Sequence, residues 1–154
     1  MAITQTMCTS FKGELLGGIH DLDTHTLKMA LIKPSMSGTY GAATTNYSDV
    51  TGNSDEVTGT NYSAGGVDIA NVAITTSGTT GIVDFDNVVF SSVDIDARGA
   101  IIYNSSASNK AIAVLDFGET KTATDGDFTV VIPAAGASTA IIRISLWRWF
   151  YVTG

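Results

Sequence analysis

Cysteine occurs once in this 154-residue chain, at Cys8, and proline twice, at Pro34 and Pro133. A lone thiol closes no internal disulfide, so a packed core must hold the fold, and Cys8 reads as a small buried hydrophobe. Charge is also sparse: 15% of residues are Asp, Glu, Lys or Arg, against about 25% in an ordinary soluble domain. Basic residues are the scarcer kind, 8 against 15 acidic ones, for a net charge of -7. That balance opposes a surface that tracks phosphates, and no nucleic-acid partner is expected. No run approaches the roughly 18 consecutive apolar residues of a membrane span, and no membrane partner is expected. The opening Met1 to Cys8 has neither the basic start nor the apolar centre of a secretory leader, so synthesis in a cytoplasm is expected. The phosphate-binding glycine motifs are missing, and Gly136-Ala137-Ser138-Thr139-Ala140 lacks the closing glycine of a nucleophile elbow. The chain is expected not to be an enzyme; no catalytic residue and no cofactor is assigned.

What the chain has instead is 21 Thr, 14 Ser and 16 Gly alongside 44% hydrophobic residues. Such a composition favours strands and turns over helices. Ile3, Met7, Phe11 and Leu15 recur every fourth residue and predict one short helix over about 3–16, stopped by Gly17-Gly18. After it the period changes to two. Leu27 to Ile32 reads as a strand, Ser35 to Asn53 as a long surface loop, and Val57 to Tyr62 and Gly66 to Ile74 as further strands. Ile82 to Phe90 reads as one strand with a bulge near Asp86-Asn87. Ala100 to Tyr103 and Ala111 to Phe117 flank a polar loop and predict the central hairpin, buried on both faces. Asp125-Gly126 reads as a hairpin turn, Asp127 to Pro133 as a strand, and 140–152 as a final aromatic strand. The predicted core includes Ile101, Ile102, Ala113, Val114, Leu115, Phe117, Phe128, Val130 and Ile142. Seven or eight short strands and one helix predict a single mainly β domain over 1–154, an antiparallel β-sandwich or small barrel.

Three groups of residues invite a chemical reading. His20-Asp21-Leu22-Asp23-Thr24-His25 gathers two imidazoles and two carboxylates, but a five-residue separation puts the histidines on opposite faces of a strand. A polar turn joining the helix to the first strand explains the cluster without a metal. Asp84/Asp86, Asp94/Asp96 and Asp125/Asp127 are paired carboxylates that fit no calcium loop and read as solvated strand edges. No metal is expected. The third group is the C-terminal Trp147-Arg148-Trp149-Phe150-Tyr151, which holds both tryptophans of the chain. On a strand, Trp147, Trp149 and Tyr151 share one face and Leu146, Arg148 and Phe150 the other, and both faces are apolar. Trp, Tyr and Arg are the residues enriched at binding hot spots. Burial within the same domain, an interface with a partner subunit, and stacking on a carbohydrate are the three uses of such a segment. Residues 147–151 are taken here as a candidate partner interface.

The segments Met1 to Lys12, Val57 to Gly66, Ala97 to Asn104, Lys110 to Gly118 and Asp127 to Val130 resemble, in order and spacing, a family of small structural proteins of tailed bacteriophages and prophages. The resemblance extends to about Ile144, and the aromatic tail from Leu146 to Gly154 departs from it. It implies a virion component made in the host cytoplasm, present as a homo-oligomer and bound to other virion proteins. A capsid decoration or cement protein on the major capsid protein is the first expectation. A tail or neck component, such as a fibre-attachment or adaptor subunit, and a carbohydrate-binding module are the alternatives.

Overall fold

The apolar runs on either side of residues 104–110 pair with each other and form the centre of the molecule. A computed structural model describes residues 2–145. In chain order its elements are β1 (Thr6–Met7), α1 (Thr9–Leu16), β2 (Leu27–Ile32), α2 (Ser48–Gly52), β3 (Val67–Asp68), β4 (Ala73–Ser77), β5 (Thr80–Asp84), β6 (Val88–Asn104), β7 (Lys110–Val130) and β8 (Ile142–Ile144), with a 3-10 turn at Ser105–Ala107. Strand outweighs helix, 46% to 11%, so the fold is mainly β with a short N-terminal helix. Two antiparallel sheets result, one of five strands ordered β1-β7-β6-β2-β3 and one of three ordered β4-β5-β8. Among the described residues no helix is long and apolar enough to cross a membrane.

The β6–β7 hairpin is the spine. Near its tip, Ala100 to Tyr103 and Ala111 to Leu115 are all buried, as two-sided apolar runs require. The tip closes through the Asn104 side chain, whose Oδ1 accepts from the Ala107 N–H at 3.1 Å. Ser108 and Asn109, at φ 55° and 60°, supply the left-handed residues that the reversal needs. Farther along, Ala97 stands opposite Lys121 but Gly99 opposite Asp116, so β7 carries a bulge over 117–120. Of the predicted core, only Phe117 is not fully buried; it packs half-buried against the cluster formed by the rest. That cluster also takes in Val83 and Ile142, so both sheets share one core.

Several expectations give way. The helix starts at Thr9, not at residue 3: Thr6 and Met7 pair with Val114 and Ala113, and Ile3 bridges Tyr40. A spacing of four is even, so Ile3 and Met7 also share a strand face, and pairing with β7 outweighs a helix that Gly13 would weaken. The eight-residue helix depends on docking, with Phe11 fully buried and its first N–H groups taken by distant carbonyls, Cys8 N–H to Ile112 and Thr9 N–H to Ala42. The run Ile82 to Phe90 is two strands in different sheets, because the chain crosses between layers at 85–87. Asp125-Gly126 lies inside β7; Asp125, at φ 48°, makes an irregularity opposite Val93 instead of a turn. Val57 to Tyr62 contributes one bridge, Thr60 to Asp94, and Ser35 to Asn53 is a packed excursion with Tyr40, Thr44 and Val50 buried. Of the expected strand 140–152, Ile142–Ile144 is β8, and residues from 146 on lie outside the described residues.

Candidate functional site

The histidine cluster is a structural hub. His20 and His25 sit in the turn between α1 and β2 and converge on one buried amide, that of Asn104, with each Nδ1 3.0 Å from its Nδ2. Because Asn104 Oδ1 already accepts from Ala107, the amide orientation is set: Nδ2 donates to both rings and both Nδ1 atoms accept. Nε2 of His20 then carries its proton and donates to Glu14 Oε2 at 3.1 Å. Glu14 also accepts from Lys110 Nζ at 2.5 Å. Burial alone would raise the Glu14 carboxyl, but Lys110 and His20 outweigh it and hold the group below its ordinary range. The relay joins α1, the turn after it and both strands at the hairpin tip. The two rings are carried by a turn between α1 and β2, as the reading of the cluster as a polar turn expects. Their Nδ1 lone pairs are spent on Asn104 and, for His25, on the Asp21 N–H as well, and among the described residues no three His, Cys, Asp or Glu side chains group around a common point. Replacing Asn104 with alanine leaves His20 Nδ1 and the Ala107 N–H without partners and His25 Nδ1 with only the Asp21 N–H, 3.4 Å away. A loss of about 2–4 kcal/mol is expected in urea unfolding, and a loss below about 1 kcal/mol would show that the amide is not the hub.

A second polar centre escaped the sequence reading. Asp55 is fully buried and accepts from the Ser37 and Gly38 N–H groups and from the Tyr40 hydroxyl at 2.6 Å. Its neighbour Glu56 accepts from Tyr62 at 2.9 Å, from the Gly65 N–H at 2.7 Å and from the hydroxyl of Tyr47. Burial, then the facing carboxylate, pushes the Tyr40 hydroxyl up to about 12 and drives those of Tyr47 and Tyr62 up as well. These tyrosines stay protonated and donate. Both acids therefore serve as staples of the long excursion, and an acid flanked by Val50 and Val57 was the only local sign of it.

One member of each aspartate pair is engaged by a partner of its own. Asp86 accepts from Asn71, Asp127 from the Ser92 N–H, and Asp96 from Thr122. Asp94 and Asp96 lie exposed on one face of β6 while Ile95 enters the core, the alternation expected of a strand edge. Ser138 sits exposed in a loop, away from any histidine hydrogen bond. Cys8 is fully buried, and burial first, then the Asp49 charge, pushes its thiol up to about 11, which makes it unreactive.

The candidate interface Trp147, Arg148, Trp149, Phe150 and Tyr151 lies outside the described residues. The surface that leads to it is described. A groove of about 740 Å³ runs between β1, α1 and the segment 138–145, walled by Met7, Leu15, Leu16, Leu115, Ile141 and Ile144. Leu16 and Ile144 are 89% and 55% exposed there, a large apolar surface for one rim. Lys12 and Arg143 stand beside them. No family model, curated protein or solved structure matches this chain.

Proposed function

We propose that this chain is a structural subunit of a tailed-phage particle, a capsid decoration or cement protein that works by adhesion to the major capsid protein and to its own copies. The observation that carries the reading is what the resembling segments do in the fold. Ala97 to Asn104 and Lys110 to Gly118 make the spine, Val57 to Gly66 meets it where Tyr62 stacks on Phe90 and the Gly65 carbonyl accepts from Tyr103, and Asp127 to Val130 closes its far end. Polar groups that could carry chemistry are engaged in holding loops: His20 and His25 on Asn104, Asp55 on Tyr40, Glu56 on two tyrosines. Apolar side chains remain on the outside, among them Leu16, Ile74, Val131 and Ile144, as contact area for neighbours.

Imaging of purified particles at subunit resolution tests the reading. Decoration requires copies in icosahedral multiplicity over the capsid surface. A small ring of copies at one vertex would assign the protein to the neck or tail instead, and its absence from particles would overturn the virion role.

A further inference from the structure

We infer that the outer edge of β4 is the surface through which two copies of this chain pair, by antiparallel addition of one β4 to the other. The inference deepens the adhesion between copies in the proposed function, rests on that part of it, and names the surface.

An open sheet edge is a template for a further strand unless something blocks it, and this molecule blocks its edges unevenly. In the five-stranded sheet β1 and β3 are edges of two residues each. Beyond Val114, where its pairing with β1 ends, β7 is an edge as well. That stretch is interrupted by the bulge over 117–120 and by the left-handed Asp125 at φ 48°, and it carries the charges of Glu119 and Lys121. In the three-stranded sheet β8 has three residues, one of them Arg143. β4 has none of these devices. It is five residues long and pairs with β5 in unbroken register from Ala73/Asp84 to Ser77/Thr80. It holds no proline and lies in a stretch, Ile69 to Val83, without a charged residue. Among the described residues nothing pairs with its outer side.

The apolar cover also stops at β4. Ile142, Val83 and Ile74 stand in one row across β8, β5 and β4. The first two are buried in the core that the sheets share, whereas Ile74 is 55% exposed. A further strand beside β4 extends the row and covers Ile74. Another β4 fits that place. The two-residue turn Gly78-Thr79 closes the β4–β5 hairpin at Ser77 and Thr80, so the alternation of the ladder turns the N–H and C=O groups of Ile74 and Thr76 away from β5. An antiparallel second copy presents the same groups at the same spacing, and a two-fold axis satisfies both sets at once. Charge favours this edge too. Each copy has a net charge of -7, and two β4 strands bring no charged side chains opposite one another. The contact is isologous and closes as a dimer. A pair of five-residue strands is a small contact, so the association is expected to be reversible and to depend on concentration.

The test uses the purified full-length chain in solution. Hydrogen exchange followed residue by residue should show the Ile74 and Thr76 amides exchanging freely in dilute protein and becoming protected as light scattering records dimers at higher concentration. Thr75→Cys should then give a cross-linked homodimer with a short bis-maleimide, whereas Thr124→Cys, exposed on β7, should not; Cys8 is fully buried. Ile74→Lys puts a charge into the strand pair and should lose both the protection and the Thr75→Cys cross-link while unfolding in urea like wild type, since the side chain it replaces is more than half exposed. Thr76→Lys, also at an exposed position, repeats the test at the other outward residue and should give the same loss. A chain that stays monomeric up to its solubility limit overturns the inference. So does a dimer whose β4 amides still exchange freely, because it pairs through another surface, and so does protection that does not vary with concentration, because β4 is then covered within its own chain. No particle is involved: absence from particles would end the virion role and leave this pairing standing, and a monomer in solution would do the reverse.

Discussion

Asp55→Ala is expected to cost about 3–5 kcal/mol of folding stability, the largest single loss among the polar side chains described here. The carboxylate is fully buried; its removal strands the Ser37 and Gly38 N–H groups and leaves the hydroxyl of Tyr40, a residue only 1% exposed, with the Asp49 carbonyl at 3.4 Å as its remaining acceptor. Lys33 Nζ, 3.6 Å away, loses its counter-charge too. The effect should depend on pH. Burial alone would raise the Asp55 carboxyl, but the hydrogen bonds from Tyr40, Gly38 and Ser37, with the Lys33 charge, outweigh it and hold the group below its ordinary value. A carboxyl lowered in the folded state contributes fully above its unfolded pKa of about 3.9, and the contribution disappears as pH falls through the folded value. Urea unfolding of wild type and variant should therefore differ most near neutrality and converge as the medium is acidified below about pH 4. A gap that stays constant into acid would mean that the carboxylate charge is not what the loop depends on.

The same residue shows where a linear reading runs out. Asp55 gathers partners from 15 to 18 positions upstream, and no periodicity announces that encounter. Asn104 is a sharper case. It meets His20 and His25 across 84 and 79 positions, so the histidine cluster could be read as a turn while its partner stayed hidden inside the strand run that ends there. The spine itself was legible because a strand buried on both faces must be apolar almost without interruption, and Ala100 to Tyr103 and Ala111 to Leu115 are. The crossing after Asp84 was not, because Phe85 and Val88 are both buried and a change of sheet leaves the same apolar trace as a bulge. At the N-terminus the ambiguity was numerical: every fourth residue is also every second pair, and strand pairing with Val114 and Ala113 decided it. The groove lay beyond any local pattern, since β1, α1 and 138–145 meet only in the folded chain.

Gly66→Ala is the second substitution with a large expected effect, because it acts on backbone that has nowhere to go. Gly66 holds φ at +70°, where an L side chain costs about 1–2 kcal/mol. A Cβ there would also lie 2.6 Å from the Met29 carbonyl carbon and 2.8 Å from Ala30 Cα, both part of the backbone of β2, which is held between β6 and β3. Relief requires β3 to lift away, since Val67 pairs with Met29 directly beyond. With overpacking of a further ~1–3 kcal/mol, a total loss of about 2–5 kcal/mol is expected. The damage should spread in a definite direction. Gly65 N–H donates to Glu56 and Gly65 O accepts from Tyr103 at 2.8 Å, so displacing this turn loosens the Tyr47–Tyr103 stack, whose ring centroids are 4.6 Å apart. Near-ultraviolet dichroism from the tyrosines should fall in Gly66→Ala under conditions where the backbone signal persists. Gly13→Ala is the control: nothing lies within 4 Å of its Cβ position, the residue is helical, and a gain of about 0.5–1 kcal/mol is expected. If Gly66→Ala matches wild type in denaturant and keeps its tyrosine signal, β3 does not pack on β2 in this register, and the seat of Glu56 must be redrawn.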